Sequence, residues 1–274
     1  MPRCVPRLAA ALLLVAAASA TAQSLPQPQP QPQPRSEPPS PAQPQVQSRP
    51  LQPARPLHAA VPGPAPLAER LAACTPCHGD AGRAGADAYY PRIAGKPAGY
   101  LYNQLLNFRD GRRHYPLMTG LLDPLPDAYL REIAAYFARL DPPHPPPRPA
   151  AVTAAVLERG RELATAGDAA LDVPACVRCH GDALTGVEPA TPGLLGLPRD
   201  YLNAQFGAWK TGLRRAAPPD CMATIARRLT PDDVSAVSAW LSSRPVPKAP
   251  PARALRALPM PCGSVPDGGT RRSP

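Results

Sequence analysis

Two short stretches bring together residue types that do chemistry: CTPCHGD, Cys74 to Asp80, and CVRCHGD, Cys176 to Asp182. Each sets two thiols and an imidazole within five residues. Three chemistries use such a set. A structural zinc ion takes four nitrogen or sulfur ligands, usually as two pairs. Each stretch offers one cysteine pair and no second pair, and a His directly after Cys is awkward for chelating one ion along with both sulfurs. A dithiol redox motif belongs beside a βαβ pattern, which this sequence lacks. C-x-x-C-H is also the attachment sequence of c-type haem. Two thioethers tie the porphyrin vinyl groups to one helical turn, and the next residue points its imidazole at the iron. Two copies in one chain favour that third chemistry. Cys74, Cys77, Cys176 and Cys179 then anchor two covalently bound haem c groups, with His78 and His180 as axial ligands.

The opposite face of each iron needs a second ligand. Met118 and Met222 follow their histidines by 40 and 42 residues. Methionine is also a common core filler, but both lie in proline-bearing stretches, HYPLMTG and APPDCMA, which read as loops. Met118 and Met222 are therefore the expected axial sulfurs. Met260, in the tail, is a rival for the second iron. His114 competes at the first but has no counterpart in the second block, and His114 and His144 otherwise read as solvent-exposed.

These positions sit in a repeat. Cys74 and Cys176 are 102 residues apart, and PRIAGKPAGYL (91–101) aligns with PGLLGLPRDYL (192–202). Gln104/Gln205, Phe108/Trp209, Gly111/Gly212 and Arg113/Arg214 continue the match. Each copy reads as helical: apolar spacing predicts helices over 67–77, 100–108 and 126–140, then over 152–165, 199–210 and 231–242. Thr230 and Pro231 open the last, with Asp232 and Asp233 in its first turn. No alternating strand pattern of useful length appears, so the fold class is all-α.

Proline divides the chain. Of 44 prolines, fifteen fall between Pro26 and Pro66 and six between Pro142 and Pro149, where lost N–H groups and fixed φ oppose regular packing. The organisation read from this is a signal peptide over 1–22, a disordered Pro/Gln-rich linker over 23–65, a first domain over 66–141, a proline-rich linker over 142–150, a second domain over 151–245 and an irregular C-terminal extension over 246–274. Arg3 and Arg7 precede the apolar run LAAALLLVAAASATA, which ends in a small-x-small cleavage signal. The run is short for a membrane span, which takes about 20 residues. Export to an oxidising compartment is the expectation, with a membrane-tethered form as the alternative. With Cys4 set aside in the leader, it favours a disulfide between the remaining cysteines Cys221 and Cys262, tying the tail to the Met222 stretch. The formal charge of +10 suggests an anionic partner, but 67–141 carries nine basic and eight acidic residues and 151–245 ten of each. The excess lies outside the two blocks, and no basic stripe with aromatics marks a nucleic-acid surface.

Two C-x-x-C-H-G motifs, the stretch PRIAGKPAGYLYNQLLNFRDGRR and the methionine after it resemble the cytochrome c4 family over about residues 67–243. The second copy departs from the family pattern with LLG where LAG is usual, and the proline tract, spacer and extension are atypical. The resemblance implies two tandem class I cytochrome c domains, packed pseudo-symmetrically with their haems close. It implies that the Pro91 and Pro192 carbonyls accept the Nδ1–H bonds of the axial histidines, and it suggests Tyr100/Tyr201 and Arg113/Arg214 as haem-edge or propionate partners beside plainer packing roles. It implies single-electron transfer in the periplasm, between a quinol-oxidising complex or a dehydrogenase and a terminal oxidase, with loose membrane association. Rival readings are a dihaem enzyme of the peroxidase or thiosulfate-oxidising type, and an electron-accepting subunit of a periplasmic dehydrogenase.

Overall fold

Each C-x-x-C-H motif ends a helix of a single turn, and glycine stops it. The computed structural model describes residues 66–85, 89–248, 251–252 and 257–266; the expected signal segment and Pro/Gln tract lie outside these. In the first block α1 (Leu67–Arg70) leads through a 3-10 turn at Ala72–Cys74 into α2 (Thr75–His78). The expected continuous helix over 67–77 is thus divided. Pro76 has no N–H to give to the Ala72 carbonyl, and the Thr75 hydroxyl donates to that carbonyl instead, at 2.9 Å. Gly79 then turns to φ 72°, a left-handed value that costs glycine little, and a Cβ there would come within 2.2 Å of the Ala84 carbonyl oxygen.

Three longer helices follow: α3 (Ala98–Arg109), α4 (Pro116–Leu122) and α5 (Asp127–Ala138). The second block repeats the plan with α6 (Ala154–Thr165), α7 (Val177–His180), α8 (Arg199–Thr211), α9 (Cys221–Arg228) and α10 (Pro231–Ser242). Two antiparallel pairs of two-residue strands join it: β1 (Gly167–Asp168) with β2 (Val173–Pro174), and β3 (Gly186–Val187) with β4 (Thr191–Pro192). They pin loops and leave the class all-α. The stretches carrying Met118 and Met222 are helical rather than loops, forming α4 and α9. Proline marks the start of α4, where its missing N–H costs nothing. The side chain of Asp220 caps α9, accepting from Ala223 N at 3.0 Å.

Each block has its own core. In the first, α5 packs on α3 through Leu130, Ile133, Ala134 and Phe137, with Leu101 and Phe108 opposite. In the second, α10 lies across α6 and α8 and buries Val234, Val237 and Leu241 against Leu163, Leu202 and Phe206. Thr230 and Asp233 cap α10 reciprocally, side chain to backbone in both directions at 3.1 Å. Arg159 of α6 bridges Asp233 and Asp168 at 2.8 and 2.7 Å.

The proline-rich spacer is docked rather than free. The buried guanidinium of Arg92 donates to the carbonyls of Pro142 and Pro143. His144 is half-buried, not solvent-exposed as its sequence context suggests. Its ring nitrogen Nδ1 is enclosed without a partner, close against Gly196. The tail is pinned as well. Ala252 bridges the β3 segment through Ala252 N to Gly186 O (2.9 Å) and Glu188 N to Ala252 O (2.8 Å). Further on, Gly263 N donates to Pro219 O at 2.9 Å, and Asn103 of α3 donates to Ser264 O at 2.8 Å. The sulfurs of Cys221 and Cys262 lie 2.01 Å apart, joined as a disulfide.

Candidate haem sites

The histidines of both motifs are buried, His78 at 9% and His180 at 7% exposure. The Nδ1–H of His78 faces Pro91 O at 2.9 Å and that of His180 faces Pro192 O at 2.7 Å. This assigns the proton to Nδ1 and leaves the Nε2 lone pair as the free donor. Burial lowers the pKa of both rings, only partly offset by these backbone bonds. The neutral imidazole, the form that binds metal, is therefore favoured.

The thiols point away from redox chemistry. Burial pushes Cys176 up to about 12 and raises Cys74 and Cys179, whereas a dithiol redox centre keeps its attacking thiol low. Zinc fares no better: among the described residues no group of three or more His, Cys, Asp or Glu is arranged to hold a metal ion.

In the second block the motif faces a cavity. One apolar cavity is lined by Cys176, Cys179, His180 and Met222, and also by Trp209 and Arg214. Met260 lines it too, carried there by the tail that the Cys221–Cys262 disulfide holds beside Met222. In the first block Cys74, at the end of the 3-10 turn before α2, and Met118 of α4 pack against one core. The structure thus brings the cysteine, histidine and methionine of the second block to one cavity, and leaves Met260 in the same space as Met222.

A haem c suits the second crevice on two counts. Its apolar body fits an apolar lining, and its propionates fit what is otherwise unmatched there. Among the described residues Trp209 Nε1 is buried with no acceptor. Among them too, Arg214, 5% exposed, has no carboxylate beside it and stacks on the Trp209 ring at 3.8 Å. A buried N–H and a buried guanidinium without an anion are costly. An anionic group entering the cavity removes that cost.

Arg214 also belongs to the junction between the blocks, where the repeat forms a reciprocal pair. Arg113 donates to Gln104 Oε1 (3.0 Å) and Gln205 Oε1 (2.8 Å); Arg214 donates to Gln205 Oε1 (2.7 Å) and Gln104 Oε1 (3.2 Å). Backbone bonds flank them, His114 N to Leu213 O and Arg215 N to Arg112 O, both 2.7 Å. Arg113 stacks on Phe108 at 4.4 Å as Arg214 does on Trp209. Tyr100 reaches across to Arg214 Nη2 at 3.3 Å. The repeat flagged these pairs but not their meeting. Their matched positions alone carried the signal, since a duplicated domain packing on itself brings equal positions together.

No protein-family model matches the chain. Among characterised proteins, a thiosulfate dehydrogenase electron acceptor from Thiomonas intermedia is 40% identical over 176 residues, 64% of this chain and 80% of that protein. A cytochrome c4 from Pseudomonas aeruginosa is 33% identical, over 63% of this chain and 84% of that protein. Among solved structures, reduced cytochrome c4 from Pseudomonas stutzeri matches with TM-score 0.56 and 29% identity, over 64% of this chain and 95% of that one. The thiosulfate dehydrogenase TsdBA from Marichromatium purpuratum matches with TM-score 0.57 and 37% identity over 63% of this chain. This chain spans 36% of that solved chain. With two C-x-x-C-H motifs, a duplicated helical fold and relatives matched over most of their length, the chain belongs to the cytochrome c4 family of dihaem electron carriers.

Proposed function

We propose that this carrier accepts single electrons from an exported dehydrogenase, of the thiosulfate-oxidising kind, and delivers them to a downstream oxidase. The single observation behind the carrier role is the pair of buried histidines, each held by a proline carbonyl with its Nε2 free. Haem c, when bound, supplies a one-electron iron couple. Cys74, Cys77, Cys176 and Cys179 would hold it covalently, and His78 with Met118, and His180 with Met222, would ligate the two irons. Histidine–methionine ligation raises the reduction potential. Two side-chain ligands to each iron would leave no open site for bond chemistry, which favours a carrier over a peroxidase-type enzyme. A dehydrogenation releases two electrons, and two haems accept one each.

The donor class rests on likeness: two relatives, 40% and 38% identical, are named thiosulfate dehydrogenase electron acceptors. Surface chemistry agrees with a transient redox contact. Leu117 and Leu121 of α4, the helix of Met118, are 67% and 44% exposed, and Tyr89 is 63% exposed. Small apolar contacts suit short-lived electron-transfer encounters. An exported, periplasmic location accords with the leader pattern and with haem attachment. Among the described residues no helix is long and apolar enough to cross a membrane.

Rapid mixing of the oxidised protein with a thiosulfate dehydrogenase and thiosulfate tests the reading. Reduction of both haems that saturates with dehydrogenase, and slows in Leu117→Lys, is the expected result. Reduction no faster than in a mixture lacking the dehydrogenase would exclude this donor.

A further inference from the structure

The repeat is broken at one charged position. Lys96 in PRIAGKPAGYL aligns with Leu197 in PGLLGLPRDYL. Leu197 is a buried core residue of the second block. Lys96 does not pack into the first block's core; its side chain lines the cavity of the second block, with Cys176, Cys179, His180 and Met222. The placement follows from a close contact. Gly99 N donates to Pro189 O at 3.0 Å, and a Cβ on Gly99 would come within 2.6 Å of that oxygen. The loop of Lys96 is thereby pressed onto the segment between His180 and Pro192. The equivalent of Gly99 in the second block is Asp200, which is exposed. The first block therefore reaches into the second crevice, while the matching loop of the second block makes no such contact through Asp200.

Nothing anionic among the described residues pairs with this amine. Arg92 and Arg214 oppose its charge and only Tyr201 favours it, and burial is the largest influence, lowering the pKa to about 8. Its charge is also felt at His180, whereas at His78 the charge felt is that of Arg113. Lys96 is half-buried, and an ammonium in an apolar crevice that also holds the buried Arg214 needs an anion. The group that the crevice fits carries carboxylates.

We infer that Lys96 is a cross-domain counter-charge for the haem held by His180, and that it raises the reduction potential of this haem while leaving the other unaffected. A fixed positive charge favours the state of the iron centre with one more electron. It acts on one haem only, because the repeat supplies leucine at the other position. The two haems then differ in potential for a reason residing in one side chain, and electrons entering at the first block settle on the second. The inference rests on haem attachment at Cys176 and Cys179, which a haem count reports separately.

The test compares Lys96→Leu, which copies the second block, with Lys96→Arg, which keeps the charge. Both are made in the full-length holoprotein and titrated by spectroelectrochemistry. A Met118→His background moves the first haem to low potential and so identifies the second. The expected result is two haems per chain in every variant. In Lys96→Leu the reduction equilibrium of the second haem falls about tenfold, about 59 mV for a one-electron couple. Lys96→Arg retains most of the native value, and the first haem does not move. If leucine impairs haem loading, Lys96→Gln supplies a neutral side chain of similar reach, with the same fall expected. An unchanged second haem in the neutral variants, equal shifts in both haems, or a fall in Lys96→Arg as large as in Lys96→Leu would overturn the inference.

Discussion

Severing the Cys221–Cys262 link should loosen the second domain alone, and the size of the effect follows from its place in the chain. The two cysteines are 41 residues apart in sequence. A cross-link closing a loop of that length removes about 13 cal/mol/K from the unfolded chain, about 4 kcal/mol at 25 °C, on the chain-entropy account. That is a large share of the roughly 5–15 kcal/mol that holds a domain folded. The loop encloses α9 and α10, so the loss falls on the core built from α6, α8 and α10. The first core, of α3 and α5, shares no residue with it. The double variant Cys221→Ser/Cys262→Ser should therefore lower the denaturant midpoint of one transition, by the equivalent of about 3–4 kcal/mol, and leave the other where it was. Cys221 precedes Met222 directly, and the tail beyond the link carries Met260 into the same cavity. Absorbance at the ferric methionine–iron charge-transfer band, followed through the titration, assigns the weakened transition to the second haem. Unchanged unfolding of both domains, or an equal loss in both, would refute the reasoning.

Two further outcomes follow from the helix ends. Asp220 caps α9 through Ala223 N and also holds Ala216 N at 2.7 Å; Asp220→Ala should cost about 1 kcal/mol and weaken the methionine band of the second haem, with the first intact by the same spectrum. Burial pushes the carboxyl of Asp233 upward, but bonds from Thr230 and Arg159 prevail and hold its pKa below the usual value. Its folded pKa is the lower one, so its contribution is complete above the unfolded value near 4 and fades as pH falls through the folded value. Acid unfolding should reach the second domain at higher pH in Asp233→Asn than in the native protein, and the two stabilities should converge once the pH is low enough to protonate native Asp233.

Much of this was legible in the sequence because the informative residues are local and repeated. The C-x-x-C-H motifs, the paired methionines and the offset between Pro91 and Pro192 are contiguous patterns, and α10 declared itself through Thr230 and Pro231. What escaped was tertiary. The helices around Met118 and Met222 are short and open near proline, so their periodicity is too brief to register; α9 is held by the Asp220 cap and the tail. The division of the first helix falls at Leu71 and the 3-10 turn after it, where no glycine or proline marks it. His144 looked solvent-exposed among prolines, yet the spacer is docked by Arg92, whose carbonyl partners no local pattern announces. Lys96 was hidden because a lysine in a glycine- and proline-bearing loop reads as surface charge until the partner domain covers it.

The central claim is two haems per chain, each bound by histidine and methionine. A haem assay against protein concentration, combined with the ferric spectrum of the purified full-length protein, tests it most directly. The expected result is two haems per chain, both low-spin, with a methionine–iron charge-transfer band whose intensity corresponds to both. One haem per chain, or a high-spin component on either, would contradict it.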